Sequence, residues 1–259
     1  MTIHFSCTQC GKCCHNLRLP LSLDEAADWI RRGGDIELFC EAIPWPVEPP
    51  QSDAQAAHKR RLSFAAMCGA VPIRVIVTVV AAFDGACPHL LHDGRCGAYG
   101  QRPRVCRIYP AEVNPFIHLT PASKACPPDA WTTDKPVFFA NGQTLDSETS
   151  ELISQSRAVA AQDAQLKERL CAYLDVHHMA LANEGFAIHK RAPDVMLAAL
   201  ERLKHDRKQV AHGAAATWRF VSNRLSTVDT LVSIGADTAE VSSLPNALVS
   251  YIAFFPSDV

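Results

Sequence analysis

The chain has 259 residues, of which 48% are hydrophobic and 20% charged, and a formal net charge of -2. A chain of that length buries a core as one large domain or as two small ones. The near-neutral balance excludes an electrostatic case for nucleic acid or for an anionic membrane surface, and the longest apolar run, residues 75–83, falls far short of the about 20 residues that span a bilayer.

The first six residues carry no basic start and no apolar stretch before a cleavage site, so no signal peptide is read and a cytoplasmic location is expected. Eleven cysteines follow. A reducing compartment argues against a disulfide framework, and an odd number cannot close into pairs. Metal binding or redox chemistry is what such a count leaves.

In chain order, Cys7, Cys10, Cys13 and Cys14 come first. Leu17-Arg18-Leu19-Pro20-Leu21 reads as a short extended segment. A helix is expected from Ser22, which has the spacing of a capping box with Glu25; Leu23, Ala26, Ala27 and Ile30 form its apolar face and Gly33-Gly34 stops it. Pro46, Pro49 and Pro50 make residues 45–53 a loop. Lys59-Arg60-Arg61 reads as a solvated surface patch. Residues 71–83, rich in Val and Ile, predict one or two buried strands that deliver the chain to Cys87. Asp93-Gly94 marks a turn just before Cys96. Six prolines between Cys96 and Trp131 exclude long helices there, and residues 136–140 predict a short strand ended by Asn141-Gly142.

Residues 146–183 are rich in Ala, Leu, Glu and Gln and predict a long helix or a helix pair, with Leu152, Val159, Leu166, Leu170, Tyr173 and Leu174 as its packing face. Pro193 fits the first turn of another helix running to about His212. The segment from Thr217 has mixed apolar stretches with no assignable type. The expected fold is therefore α+β but mainly α: an irregular cysteine-rich metal-binding region over residues 1–135, with short strands, packed on a mainly helical region over residues 136–259.

Cys7-Thr8-Gln9-Cys10 lets the chain curl so that both sulfurs meet one ion. Cys10-Gly11-Lys12-Cys13 repeats the spacing, with Gly11 permitting the turn. Adjacent side chains in extended chain point apart, so Cys14 hints at a second metal position, a bridging ligand or a free thiol. Cys87, Cys96, Cys106 and Cys126 bring the grouped thiols to eight, enough for two four-thiolate sites, although His15 or His89 could replace a thiolate. A divalent ion with four thiolates carries a net charge of about -2. Arg102 and Arg107 are placed to offset it and to hydrogen-bond the sulfurs, with ordinary carboxylate pairing as the alternative. Cys40, Cys68 and Cys171 read as small buried hydrophobes. His177, His178 and His189 read as solvated or core side chains.

Phe5-x-Cys7-x-x-Cys10-Gly11-x-Cys13-Cys14, followed by a polar-capped helix, resembles the N-terminal signature of the CxxCxxCC (YkgJ-like) cysteine-cluster family. Cys87-x-x-Leu90 and Gly94-x-Cys96-x-x-Tyr99-x-x-Arg102-Pro103-x-x-Cys106-Arg107-x-Tyr109-Pro110 resemble its second block. The resemblance covers residues 5–130. It departs at Ala98, where a larger aliphatic is usual, and at Tyr109, where Phe is common; neither is expected to touch a ligand. What it implies is chelation of zinc or iron, without a reaction.

A C-x2-C-x2-C run with a remote cysteine before proline also resembles the ligation pattern of a [4Fe–4S] cluster, with Cys87-Pro88 or Cys126-Pro127 in the remote place. Zinc takes four thiolates, usually from two CxxC knuckles, and the later cysteines offer no such pair. Iron or an iron–sulfur cluster is favoured, with zinc the alternative. The expected function is a cytoplasmic metal-binding protein in an accessory or interaction role, its partners a metal ion or cluster, with a protein as a further option, but not nucleic acid or membrane. The alternative is an iron–sulfur-dependent protein-modifying enzyme, since flagellin lysine N-methylases carry a similar cysteine block; no cofactor-binding motif supports it.

Overall fold

The structure of the chain is a computed structural model, and it describes residues 1–206, 217–245 and 247–258. The N-terminal stretch forms β1 (Thr2–His4) and β2 (Arg18–Leu21). Helix α1 (Leu23–Arg31) follows with the capping box in place: Ser22 accepts the Glu25 N–H, and the Glu25 carboxylate accepts the Ser22 N–H. Its buried face adds Trp29 to the four residues read from the sequence. Next come β3 (Ile36–Pro44), α2 (Ala54–Arg61), β4 (Ser63–Cys68) and β5 (Val71–Ala82). The short α2, unmarked by any apolar period, carries the basic run, whose Lys59 and Arg60 pair with Glu41 and Glu48.

Between Cys87 and Trp131 the one α-helix is the five-residue α3 (Arg104–Ile108). Then come β6 (Val137–Ala140) and β7 (Gln143–Thr144), joined by Asn141 and Gly142 at φ +52° and +79°. These are the positive angles that a two-residue hairpin needs. The chain continues with α4 (Ser147–Tyr173), β8 (His178–Leu181), β9 (Gly185–Lys190), α5 (Pro193–His205), β10 (Arg219–Ser222), α6 (Leu225–Ser233), β11 (Thr238–Glu240) and β12 (Val249–Ala253). Residues 207–212, the expected end of the helix begun at Pro193, lie outside the described residues.

The expectation of a mainly α chain is overturned. Over the described residues the structure is 34% helix and 27% strand, with a mixed sheet of nine strands. Its central path runs β11-β10-β8-β3-β5-β2, with β9 also on β3, β12 on β9 and β4 on β5. The helical reading of the C-terminal half rested on the Ala- and Leu-rich stretch from residue 146. That helix ends at Tyr173; Asp175 then turns through φ +51°, and the next apolar segments are four and six residues long. Segments that short carry too little helical period and take their conformation from pairing instead. The unassigned stretch from Thr217 supplies three further strands to the same sheet.

Two compact units result. The first comprises Met1–Leu21 with Ala81–Val159, and the second Ser22–Val80 with Ala160–Val259. In the first, Ile3, Phe5, Ile108, Leu119, Phe138, Leu152 and Ile153 form the core, with Cys126 and Trp131 packed against it. In the second, β5 buries Val71, Ile73, Val75, Val77 and Val79 on one face and Ile76 and Val80 on the other, where Arg74 and Thr78 stay partly exposed. Among the described residues no helix is long and apolar enough to cross a membrane.

His189 is fully buried in the second unit, and its Nε2–H donates to the His178 carbonyl at 2.8 Å. Burial, with the positive Arg191 and the neighbouring His178 and His177 rings, holds its pKa down at about 4, while the His178 bond acts the other way. The unfolded imidazole protonates near 6.5 and the folded one does not until about 4. The unfolded state therefore binds the extra proton in that window, and stability falls as pH drops through it. Urea unfolding should show a loss of about 2 kcal/mol from this residue between pH 7 and pH 5. His189→Met should flatten the slope by that share; an unchanged slope would contradict the assignment.

Candidate metal centre

Residues 7–14 fold as a series of turns, not as extended chain. Gln9 and Gly11 take φ of +55° and +69°, the Cys14 N–H closes on the Gly11 carbonyl at 2.9 Å, and the Gln9 N–H points at the Cys7 sulfur at 3.4 Å. Three sets of backbone contacts position this turn. At its start, Phe5 and Ser6 donate to the carbonyls of Pro136 and Ala130, and Ala130 in turn donates to Pro127, beside Cys126. At its end, the Cys87 N–H donates to the Cys14 carbonyl at 2.8 Å, with His15 bridged to Ala86. In the middle, Gly11 lies directly on the Gly94 carbonyl. Cys96 is held by a bridge to Leu90, and Cys106 sits within α3.

Four chain segments thus converge, and the sulfurs feel one another. The Cys14 thiol hydrogen-bonds the Cys13 sulfur, which brings Cys13 down to about 7, with help from the Arg102 charge; the same contact drives Cys14 far upward. Burial and then the thiols of Cys87, Cys13 and Cys96 push Cys106 up to about 12, against the opposing charge of Arg102. Burial and then Cys13, Cys7 and Cys10 push Cys126 up to about 11. Cys87 is raised by burial and then by Cys96 and Cys13.

All eight grouped cysteines are free thiols, with Cys7 and Cys10 exposed and the other six half-buried. Among the described residues, no three His, Cys, Asp or Glu side chains stand in an arrangement that would hold a metal ion. The donor set itself fits one. Soft sulfurs that repel each other as thiolates are what zinc, iron and iron–sulfur clusters bind, and a cation would displace their protons and discharge the repulsion.

Residues 6–127 match a family model described as "Putative zinc- or iron-chelating domain", named CxxCxxCC. Residues 6–127 are similar to a CxxCxxCC domain. No curated protein and no solved structure matches the chain. The matched region spans all eight grouped cysteines, and its residues 22–80 lie in the second unit.

Within the matched region the two arginines part company. Arg102 stacks its guanidinium 3.6 Å from the Tyr99 ring centre and donates to the Tyr99 carbonyl at 3.0 Å; there its charge reaches Cys13 and Cys106. Arg107 pairs with the Glu148 carboxylate at 2.8 Å, the ordinary alternative foreseen for it. The sequence reading placed Tyr109 away from any candidate ligand, and the structure corrects this. The Tyr109 hydroxyl accepts the Ala125 N–H at 2.7 Å and hydrogen-bonds the Cys126 sulfur. A ring hydroxyl in place of a plain Phe ring was the signal available. Tyr109→Phe removes that bond, and outer hydrogen bonds of this kind are worth about 10–100-fold in metal affinity. Chelator competition should show a loss of about tenfold; unchanged affinity would mean the hydroxyl serves only the 124–126 turn.

Outside the cysteine cluster, Cys40, Cys68 and Cys171 are buried as expected. Cys40 and Cys171 are not isolated from one another, however, because their thiols hydrogen-bond. Only the fold could show this, since they lie 131 residues apart in sequence. Cys68 donates to the Asp237 carbonyl at 3.2 Å.

Proposed function

We propose that this protein is a cytoplasmic metal-binding protein that chelates iron, as an ion or an iron–sulfur cluster, in preference to zinc, and serves an accessory or interaction role. The observation that carries the reading is the convergence of eight free thiols from four chain segments into one unit. Free thiols on this scale suit a reducing compartment. The preference for iron follows from cysteine spacing: three sulfurs come from one C-x2-C-x2-C turn, and no second CxxC knuckle completes a zinc site. Exposure of Cys7 and Cys10 leaves a face through which metal or a partner protein can approach.

Anaerobic purification followed by iron, zinc and acid-labile sulfide analysis tests the reading. Stoichiometric iron is expected, with loss of metal in Cys10→Ala and Cys106→Ala. Colourless protein with stoichiometric zinc would retain chelation and overturn the choice of iron. Protein that takes up neither metal, even on reconstitution, would overturn the proposal.

A further inference from the structure

Helix α6 begins without a cap of its own. Arg224 stands at its N-cap position and makes no side-chain bond to the first turn, although the first N–H groups of a helix need an acceptor from outside it. The acceptor comes from beyond β12. Asp258 takes the Leu225 N–H at 2.6 Å on one carboxylate oxygen and the Ser226 N–H at 3.3 Å on the other, which also accepts the Ser226 hydroxyl. A carboxylate is favoured there by the helix dipole as well.

Further ties hold the segment between β12 and Asp258. The Phe254 N–H donates to the Glu184 carbonyl at 2.8 Å, the Asn223 side chain donates to the Phe255 carbonyl at 3.2 Å, and the Phe254 ring stands edge-on to Phe186 at 5.3 Å. The Glu184 carboxylate serves the same place. It accepts from the Thr227 hydroxyl at 2.7 Å and the Ser222 hydroxyl at 3.2 Å. Arg224 lies between the two carboxylates, 3.5 Å from Glu184 and 3.8 Å from Asp258.

We propose that residues 254–258 form a latch that closes on Glu184 and the start of α6 and opens as one unit while the sheet stays folded. Its ties are mostly polar, and Phe254 and Phe255 both remain 50% exposed, so little apolar burial opposes release. The neighbouring strand β10 has the opposite character, with Phe220 and Val221 at 1% and 0% exposure. Segments held by exposed hydrogen bonds open locally at far lower cost than a core strand. The position gives the device its meaning. Strands β8 and β10 run parallel, and the latch lies where their carboxyl ends point, the side on which open α/β sheets take ligands. Closed, it commits the first N–H groups of α6 to Asp258; open, it frees them together with Arg224.

Hydrogen exchange of the full-length protein, followed residue by residue by NMR, tests the latch. In the wild type the amides of Leu225, Ser226 and Phe254 should share one opening equilibrium and exchange faster than that of Phe220, which donates to the Asp237 carbonyl within the sheet. Asp258→Ala should speed all three about fivefold, the scale of losing a helix cap, and leave Phe220 unchanged. A separate opening equilibrium for Phe254 in the wild type would overturn the latch, and that arm needs no variant to fold. Acceleration confined to Leu225 and Ser226 would reduce Asp258 to a cap. Equal acceleration of Phe220 would show that the whole unit loosens, and no acceleration at all would show that Asp258 does not hold α6. Each of these results overturns the proposal.

Discussion

Gly11→Ala is expected to be among the most damaging substitutions in the cysteine turn, although it touches no sulfur. Gly11 takes φ +69°, and a Cβ there would stand 2.4 Å from the Gly94 carbonyl oxygen and 2.9 Å from the Leu90 side chain. The left-handed angle alone costs an L-residue about 1–2 kcal/mol. The carbonyl is backbone and cannot swing aside, so the 7–14 turn or the 94–96 loop must move; forced overpacking adds about 1–3 kcal/mol. Either movement shifts Cys10 and Cys13 against Cys96. The variant should melt lower than wild type and lose metal affinity by at least about tenfold, on the sensitivity of metal sites to the groups that orient their ligands. Gly94→Ala separates the two causes. Its φ is +83°, but its Cβ would meet only the Cys10 carbonyl, at an ordinary 3.5 Å, so it should suffer the left-handed penalty alone. Differential scanning calorimetry and chelator competition on both variants decide the matter. If Gly11→Ala is no worse than Gly94→Ala, close packing of the turn on the 94 loop does not set the site.

What could be read from the sequence was local. The capping box at Ser22 and Glu25, the covered strand leading to Cys87, and the Asn141-Gly142 turn each depend on residues within a few positions of one another, and each formed as read. The strands at His178–Leu181 and Gly185–Lys190 could not be read in this way. Their partners are β3, β10 and β12, residues 36–44, 219–222 and 249–253, and a short apolar segment gives no sign of which distant edge it will join. The cysteine groups were legible because spacing alone declares them. Their mutual arrangement was not. Reading Cys13 and Cys14 as pointing apart assumed extended backbone, whereas the positive angles at Gln9 and Gly11 fold the run into turns and bring the two sulfurs into contact. Tyr109 was set aside for a similar reason, because nothing in residues 99–110 reveals that Cys126 returns to its hydroxyl.

Asp163→Leu is expected to cost about 3–5 kcal/mol, the range for stripping one partner from a buried ion pair. Asp163 and Lys167 are both buried, one helical turn apart on α4. Burial lowers the Lys167 pKa, and the Asp163 carboxylate is the largest influence holding it up, followed by the Cys171 and Cys40 thiols. The carboxylate has a second duty, since its Oδ2 accepts the Leu23 N–H at 2.9 Å and so serves a first-turn donor of α1 that has no partner within its own helix. Removing Asp163 therefore leaves a buried ammonium without its countercharge and a backbone N–H without its acceptor. The two losses can be told apart. Adding Lys167→Met removes the charge, and apolar replacement of a buried pair is often neutral, so the double variant should recover most of the stability. It should still fall about 1–3 kcal/mol below wild type, the cost of the orphaned N–H. Asp163→Asn keeps an acceptor and loses only the charge. It should be rescued fully by Lys167→Met, where Asp163→Leu is rescued in part. A double-mutant cycle in urea measures the coupling directly. Equal stability of Asp163→Leu with and without Lys167→Met would show that the ammonium finds water in the folded chain, and that Asp163 matters to α1 alone.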